Sequence, residues 1–160
     1  MQVIPSPLKC HGYFLTGLTL IANPEYDKKK PTLLKFEDLK VDPSANALPE
    51  EQGKKLWRVA LQIQQNVEPD KNAPYNFSIA LVGTFEVHSK FPADKAKELA
   101  AVNGCSVLYS TARQILREAM YNGPFPALDL PTVRLIETEP PAPATQIAET
   151  QPGYGEKPVT

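Results

Sequence analysis

The sequence is poor in the residues from which catalytic and metal centres are usually built. It contains only two histidines and two cysteines. Cys10 and His11 are adjacent, and adjacent residues of a strand point to opposite faces, so they would not converge on one ligand. No phosphate-binding loop, G-x-G-x-x-G turn or H-E-x-x-H helix is present. We therefore expect no enzyme, no metal and no cofactor, with a cysteine–histidine pair formed across the fold as the remaining catalytic alternative.

Strong charge and long apolar runs are also missing. The formal net charge is −1, so no overall field attracts nucleic acid or an anionic membrane surface. No apolar run approaches the roughly 20 residues of a membrane-spanning helix. The two cysteines form no C-x-x-C pair and no signal peptide precedes them, which favours reduced thiols in a cytoplasmic protein over a disulfide.

What the sequence does have is enough apolar residues for one core. Its 160 residues are 42% hydrophobic, which is sufficient for a single domain. Residues 1–9 contain two prolines and are expected to be an irregular lead-in to a domain at 10–136. Residues 137–160 combine proline with Thr, Gln and Glu, a composition that predicts a disordered tail.

Strand patterns occupy much of the first half of the chain. Apolar and polar residues alternate over 55–67 and 75–87, which predicts an antiparallel hairpin with one apolar and one polar face. The polar face carries few basic residues besides Arg58, so the strand aromatics indicate a core rather than a nucleic-acid platform. Residues 10–22 are apolar on both faces, which predicts a strand covered on both sides, at least in part. Gly17 in its middle indicates either a bulge or a close backbone approach.

The fourth predicted strand is the weakest. Residues 32–41 carry five apolar side chains, but two acidic residues interrupt them. Residues 42–53 are rich in Pro, Ser and Asn, which is typical of a loop. Three consecutive lysines at 28–30 lie in the preceding loop, where they indicate ordinary solvated charge or, alternatively, a phosphate contact.

The organising element is a long helical pattern over residues 106–121. A shorter helix over 91–103 is predicted to lead into it, Ser106 to cap its start, and Gly123 to take a left-handed conformation past its end. Its apolar residues form two neighbouring ridges. One ridge comprises Leu108, Thr111, Ile115 and Ala119, and the other comprises Tyr109, Ala112, Leu116 and Met120.

Two apolar ridges predict two packing partners for this helix, its own sheet and a second subunit. The residues that we expect at the subunit contact are Ala112, Ile115, Leu116, Ala119 and Met120.

Two motifs around the end of this pattern resemble the SecB family of protein-export chaperones. Tyr109, Ala112 and Arg113 match an aromatic-x-x-Ala-Arg element. The segment that follows the helix resembles the family's Gly-x-Phe-Pro-x-Leu-x-Leu-x-Pro-Val run, with Thr132 inserted before the valine. The matching residues of this second element are Gly123, Phe125, Pro126, Leu128, Leu130, Pro131 and Val133.

The resemblance implies an α+β fold in which a four-stranded antiparallel sheet packs on the long helix, assembled as a dimer of dimers. It implies an ATP-independent holdase, without catalysis or cofactor, that binds unfolded polypeptides in apolar grooves. For this chain the implied groove residues are Tyr26, Phe85, Leu108 and Tyr109, with simple core burial as the alternative for each.

The sequence departs from the family where the SecA motor docks. The family's acidic docking positions correspond here to Gly17, Ile21 and Ser78, none of which is acidic, so the SecA contact is doubtful. This difference favours one dedicated client over general export. The alternative function is an interaction or structural protein with this fold, for example one associated with a toxin–antitoxin pair, that does not bind clients generally.

Overall fold

Four antiparallel strands form one sheet in the order β1-β4-β3-β2. The computed structural model describes residues 1–136, so the predicted tail at 137–160 lies outside the described residues. The four strands are β1 (Leu8–Ala22), β2 (Leu39–Ala47), β3 (Lys55–Gln65) and β4 (Tyr75–Val87). The chain crosses from one edge of the sheet to the other between β1 and β2. The predicted four-stranded antiparallel sheet is confirmed.

The β3–β4 hairpin forms the centre of the sheet, as its alternating pattern predicts. On β4 every odd-numbered position is buried and every even-numbered position is half-buried. The buried side chains pack on the helix and the others form an outer face. Facing residues such as Leu61 and Leu81 pair directly, so the same face of both strands contributes to the core.

Strand β2 lies later in the chain than predicted. Residues 36–38 form a 3-10 turn instead, in which a carboxylate oxygen of Asp38 accepts the N–H of Lys35 at 2.8 Å. The strand then continues through Pro43, which pairs with Leu61. Proline is tolerated here because β2 is an edge strand, where a missing N–H can face away from the neighbouring strand. The prediction of a loop over 42–53 was therefore wrong for its first six residues.

Strand β1 is exposed rather than covered on both sides, contrary to its prediction. Its side chains include Phe14 at 71% and Ile21 at 59% exposure. The reason is topological, because β1 forms the far edge of the sheet and pairs only with β4. Its register shifts between Cys10 and Gly12 and again between Leu15 and Gly17. The second shift leaves Thr16 as the extra residue beside Gly17, which agrees with the bulge rather than with the close backbone approach.

The helical region is one continuous rod with a defect near its start. A 3-10 turn (Ala93–Lys95) leads into α1 (Ala96–Leu99), a π-helical turn (Ala100–Gly104) and α2 (Cys105–Tyr121). Ser106 is therefore inside the helix, and its hydroxyl donates to the carbonyl of Val102 at 2.7 Å instead of capping the start. At Gly104 a Cβ atom would lie 2.9 Å from Cγ2 of Val59, so only glycine lets the rod approach the sheet this closely.

Helix α2 ends differently from its prediction. Gly123 is absent from the glycines with positive φ, so it does not provide a left-handed cap. A Cβ atom at this position would overlap the hydroxyl of Tyr75. Gly123 is therefore required for close approach to the sheet, and residues 124–136 then run on without regular secondary structure.

The core lies between α2 and the inner face of β3 and β4. The helix buries Cys105, Leu108, Tyr109, Ala112, Leu116 and Met120. The largest fully buried partners on the sheet include Leu61, Tyr75 and Phe85. Within residues 1–136, no helix is both long enough and apolar enough to span a bilayer.

Candidate functional site

Three of the four predicted groove residues lie in the core of the chain itself. Phe85 and Leu108 are 0% exposed and Tyr109 is 3% exposed, so an unfolded polypeptide cannot reach them in this conformation. Tyr26 is half-buried, with its ring centroid 5.0 Å from that of Phe125 in an edge-on arrangement. The alternative of core burial therefore describes Phe85, Leu108 and Tyr109.

The predicted subunit-contact residues separate into two groups. Ala112, Leu116 and Met120 are at most 1% exposed, because this ridge packs on the sheet of its own chain. They cannot also contact another subunit in this conformation. Ile115 and Ala119 are half-buried and belong to the other ridge, which remains partly accessible.

An apolar cleft with a volume of about 250 Å³ lies between the segment at the start of β2 and the segment that follows α2. One wall comes from residues 34–39 and the other from residues 128–131, with Phe77 and Gln65 of the sheet also lining it. We call this space the 34/128 cleft. Its lining residues are Leu34, Lys35, Phe36, Leu39, Gln65, Phe77, Leu128, Asp129, Leu130 and Pro131.

The first wall of the 34/128 cleft carries large apolar side chains that are exposed. Phe36 in its wall is 60% exposed, and Leu33, next to the wall in sequence, is 55% exposed. The sequence pattern does not predict this site, because Leu33, Leu34 and Phe36 fit a strand. The available indication was Glu37-Asp38, two acidic residues that interrupt the strand pattern and form the 3-10 turn.

The second wall of the cleft is fixed to the helix and the sheet. The hydroxyl of Tyr109 donates to the carbonyl of Pro131 at 2.8 Å, and the N–H of Leu128 lies 3.3 Å from the sulfur of Met120. Burial raises the pKa of the Tyr109 phenol, which keeps it protonated as a donor, and Arg113 opposes this shift. The residues of the two family-like motifs thus hold the segment that follows α2.

Strand β1 provides a second exposed apolar surface. In an antiparallel pair, directly opposed residues share a face. Tyr13, Leu15 and Leu18 oppose Gly83, Leu81 and Ile79 and therefore lie on the inner face with α2. They are 48%, 45% and 40% exposed. Phe14 opposes Val82 and lies on the outer face.

The two edges of the sheet are protected to different degrees. Strand β2 carries Lys40, Asp42 and Pro43. Strand β1 has no proline, and its only charged residue is Lys9. Charges and proline are the usual devices that stop edge strands from pairing with another chain. The edge at β1 is therefore less protected by charge and proline than the edge at β2, although its two register shifts interrupt the run of free backbone groups.

The outer face of the sheet carries no acidic residue at the three positions discussed for SecA. Gly17 opposes Ala80, Ile21 opposes Asn76, and Ser78 opposes Thr19, so all three lie on this face.

Glu86 is at the opposite end of the outer face. Its carboxylate oxygen lies 2.6 Å from Nε2 of His11. This hydrogen bond lowers the pKa of the Glu86 carboxyl. Desolvation opposes the shift, and the nearby charges of Lys54 and Lys9 add to it. This acid is therefore already paired within the chain.

The described residues contain no group of three His, Cys, Asp or Glu side chains placed to hold a metal ion. Cys10 is an exposed free thiol and Cys105 a buried one. Burial raises the pKa of Cys105 to about 11, which leaves almost no nucleophilic thiolate at neutral pH. Cys105 is therefore a core residue, and the disulfide alternative does not apply.

These features, a sheet, a long helix and a motif segment that closes one side of a cleft, agree with a comparison against known families. The model of the preprotein translocase subunit SecB matches residues 26–136. The chain belongs to the SecB family. No curated protein sequence matches it.

Two solved structures share the SecB-like fold. One is the SecB-like chaperone Rv1957 of Mycobacterium tuberculosis, in complex with a ChAD peptide from the HigA1 antitoxin Rv1956. It is 16% identical with a TM-score of 0.52, over 79% of this chain and 87% of that one. The other is a protein of unknown function from Streptococcus agalactiae, 12% identical with a TM-score of 0.51, over 78% of this chain and 97% of that one. Identities this low establish the fold alone.

Proposed function

We propose that this chain is a cytoplasmic, ATP-independent holdase that binds non-native polypeptides in the 34/128 cleft. The observation that carries the proposal is the exposure of Phe36 in the wall of an apolar cleft. Burying such a side chain against a client contributes about 1.5–3 kcal/mol. Membership of a chaperone family supports the same function.

The chemistry of the cleft favours extended, apolar segments with few charges. Leu34, Leu39, Leu128 and Pro131 provide aliphatic contacts along both walls. Lys35 and Asp129 lie on opposite walls, so the two charges together favour neither an acidic nor a basic client. A cleft of this size holds only a few side chains, so affinity depends on several weak contacts acting together.

We further propose that the chain assembles as a homotetramer, with the open edge of β1 as one subunit contact. Pairing along β1 would satisfy the free backbone groups of this edge and bury Tyr13, Leu15 and Leu18. Ile115 and Ala119 on the accessible ridge of α2 are suited to a second contact. This arrangement presents several 34/128 clefts on one particle, which supports binding along an extended chain.

A dedicated client is favoured over general export through SecA. The outer face lacks acidic residues at Gly17, Ile21 and Ser78, so SecA recognition by that route is not expected. The related SecB-like chaperone was solved with a peptide from an antitoxin, which supports a role with one protein partner. If aggregation of general clients is unaffected, this dedicated or structural role becomes the better description.

The decisive experiment measures suppression of aggregation. Chemically denatured citrate synthase is diluted into buffer with an equimolar amount of the chain, and light scattering is followed. We expect suppression without ATP, reduced several-fold by Phe36→Ser. Tyr121→Ser is the matched control, because Tyr121 is also exposed, at 67%, but does not line the cleft. Unchanged scattering with the unmodified chain would refute the general holdase function.

A further inference from the structure

The segment that forms the first wall of the 34/128 cleft has little structure of its own. Between β1 and β2 its only regular element is the 3-10 turn Phe36–Asp38, in which no residue is buried. Leu33 and Phe36 expose more than half of their surface. Such a segment cannot hold one conformation through its own apolar burial, so its position depends on contacts with the rest of the chain.

Those contacts come from the tip of the β3–β4 hairpin, and Asn72 makes most of them. Asn72 is 7% exposed and has a left-handed backbone, with φ of 50°. Its Oδ1 accepts the N–H of Asp27 at 2.9 Å. Its Nδ2 donates to the carbonyls of Asp27 and Lys30 at 3.0 Å each and of Pro31 at 3.4 Å. Its own carbonyl accepts the hydroxyl of Thr32 at 3.0 Å.

The neighbouring residue Lys71 holds the end of the segment nearest the cleft. Its carbonyl accepts the N–H of Leu33 at 2.8 Å. Its ammonium group lies 3.3 Å from both carboxylate oxygens of Asp38. Asp38 in turn accepts the N–H of Lys35 at 2.8 Å. The two hairpin residues therefore fasten the segment on either side of Leu34 and Phe36.

We propose that Asn72 and Lys71 are positioning residues of the client site, which hold residues 27–38 so that Leu34 and Phe36 form one wall of the cleft. The proposal rests on the holdase function stated above. Without these bonds the wall is formed in only a fraction of molecules. The apparent dissociation constant rises in inverse proportion to that fraction.

The test uses Asn72→Gly, because glycine keeps the left-handed backbone conformation and removes only the side chain. Asn76→Ala is the matched control. Asn76 lies in the same hairpin, but its side chain bonds the backbone of Val67, at 3.1 and 3.3 Å, and not residues 27–38. Lys71→Met is the second variant, and it removes only the ion pair with Asp38.

Two quantities are measured on the full chain. Fluorescence anisotropy gives the affinity for labelled, reduced and carboxymethylated α-lactalbumin, which is permanently unfolded. Hydrogen exchange with mass spectrometry reports the order of residues 27–38. For Asn72→Gly we expect exchange in this segment to accelerate and the dissociation constant to rise about tenfold. For Lys71→Met we expect a smaller change in the same direction, and for Asn76→Ala an affinity within about twofold of the unmodified chain.

The outcomes separate the two levels of the proposal. If the unmodified chain binds the probe and Asn72→Gly binds equally well, the positioning role is refuted and the holdase function stands. Equal weakening by Asn72→Gly and Asn76→Ala would also refute it, because general destabilisation would then explain the loss. If the unmodified chain does not bind the probe, both the general holdase function and the positioning role fail.

Discussion

The hydroxyl of Tyr75 donates to the carbonyl of Phe125 at 2.7 Å and accepts the N–H of the same residue at 2.9 Å. Tyr75 is 1% exposed, and its ring centroid lies 6.0 Å from that of Phe125. A single phenol on β4 thus satisfies both backbone groups of the residue that leads out of α2. It ties the family-like motif segment to the sheet.

Tyr75→Phe should lower the free energy of unfolding by about 1–3 kcal/mol, because it leaves a backbone donor and acceptor of Phe125 without their partner. Urea unfolding followed by circular dichroism measures this loss. Tyr121→Phe is the control, since Tyr121 is exposed and should change stability by less than about 0.5 kcal/mol. Equal stability of the two variants would contradict the structural role of the Tyr75 hydroxyl.

Gly104→Ala should be destabilising although alanine usually favours helices. The new methyl group would press on Val59 at the π-helical turn, and overpacking of this kind costs about 1–3 kcal/mol. Gly17→Ala provides the comparison, since its Cβ would lie 3.9 Å from that of Ala80, an ordinary contact. Thermal unfolding of both variants measures the difference, and a Gly104→Ala variant as stable as the unmodified chain would argue against close helix–sheet contact there.

Phe14→Lys should weaken self-association while leaving the chain folded. A lysine on the open edge of β1 opposes pairing with another strand, and the side chain it replaces is 71% exposed, so little core packing is lost. Light scattering coupled to size exclusion should show a dissociation constant raised at least tenfold. Ser44→Lys on β2 should leave the mass unchanged. Assembly that resists Phe14→Lys and yields to Ser44→Lys would place the contact at the other edge.

The cleft wall should respond to acid through Asp38. The hydrogen bond from the Lys35 N–H lowers the pKa of this carboxyl below its ordinary value of 3.8, desolvation opposes the shift, and Lys71 adds to it. A carboxyl with a depressed folded pKa stabilises the fold above its unfolded pKa, and this contribution disappears as pH falls through the folded pKa. The amide chemical shift of Lys35 should therefore titrate with a midpoint below 3.8, and a midpoint at or above 3.8 would contradict this arrangement.

The fold could be predicted because its central elements have strong local patterns. Alternation along 75–87 specifies β4 to the residue, and helical spacing specifies α2 to within one residue. The order of strands across the sheet could not be predicted, because nothing in residues 10–22 distinguishes an edge strand from one that is covered on both sides. Pro43 misled the assignment of β2, since the sequence does not show that its missing N–H faces away from β3.

The candidate site was harder to predict for a related reason. Leu108, Phe85 and Leu33 are all apolar, and only three-dimensional packing decides that the first two are buried and the third is exposed. Asn72 has no distinguishing pattern in the sequence, because its bonds reach residues 40 to 45 positions earlier. Interactions over such separations depend on how the hairpin and the segment before β2 meet in the folded chain.

The unequal edges of the sheet also limit how large a continuous sheet can become. If two copies join along β1 as proposed, the outermost strands of the combined sheet are both β2, each carrying Pro43 beside Lys40 and Asp42. Neither end then offers a run of free donors to a further chain. In the proposed assembly, strand pairing would stop at two copies instead of propagating into a fibre, so the unequal edges would protect the chain from open-ended growth.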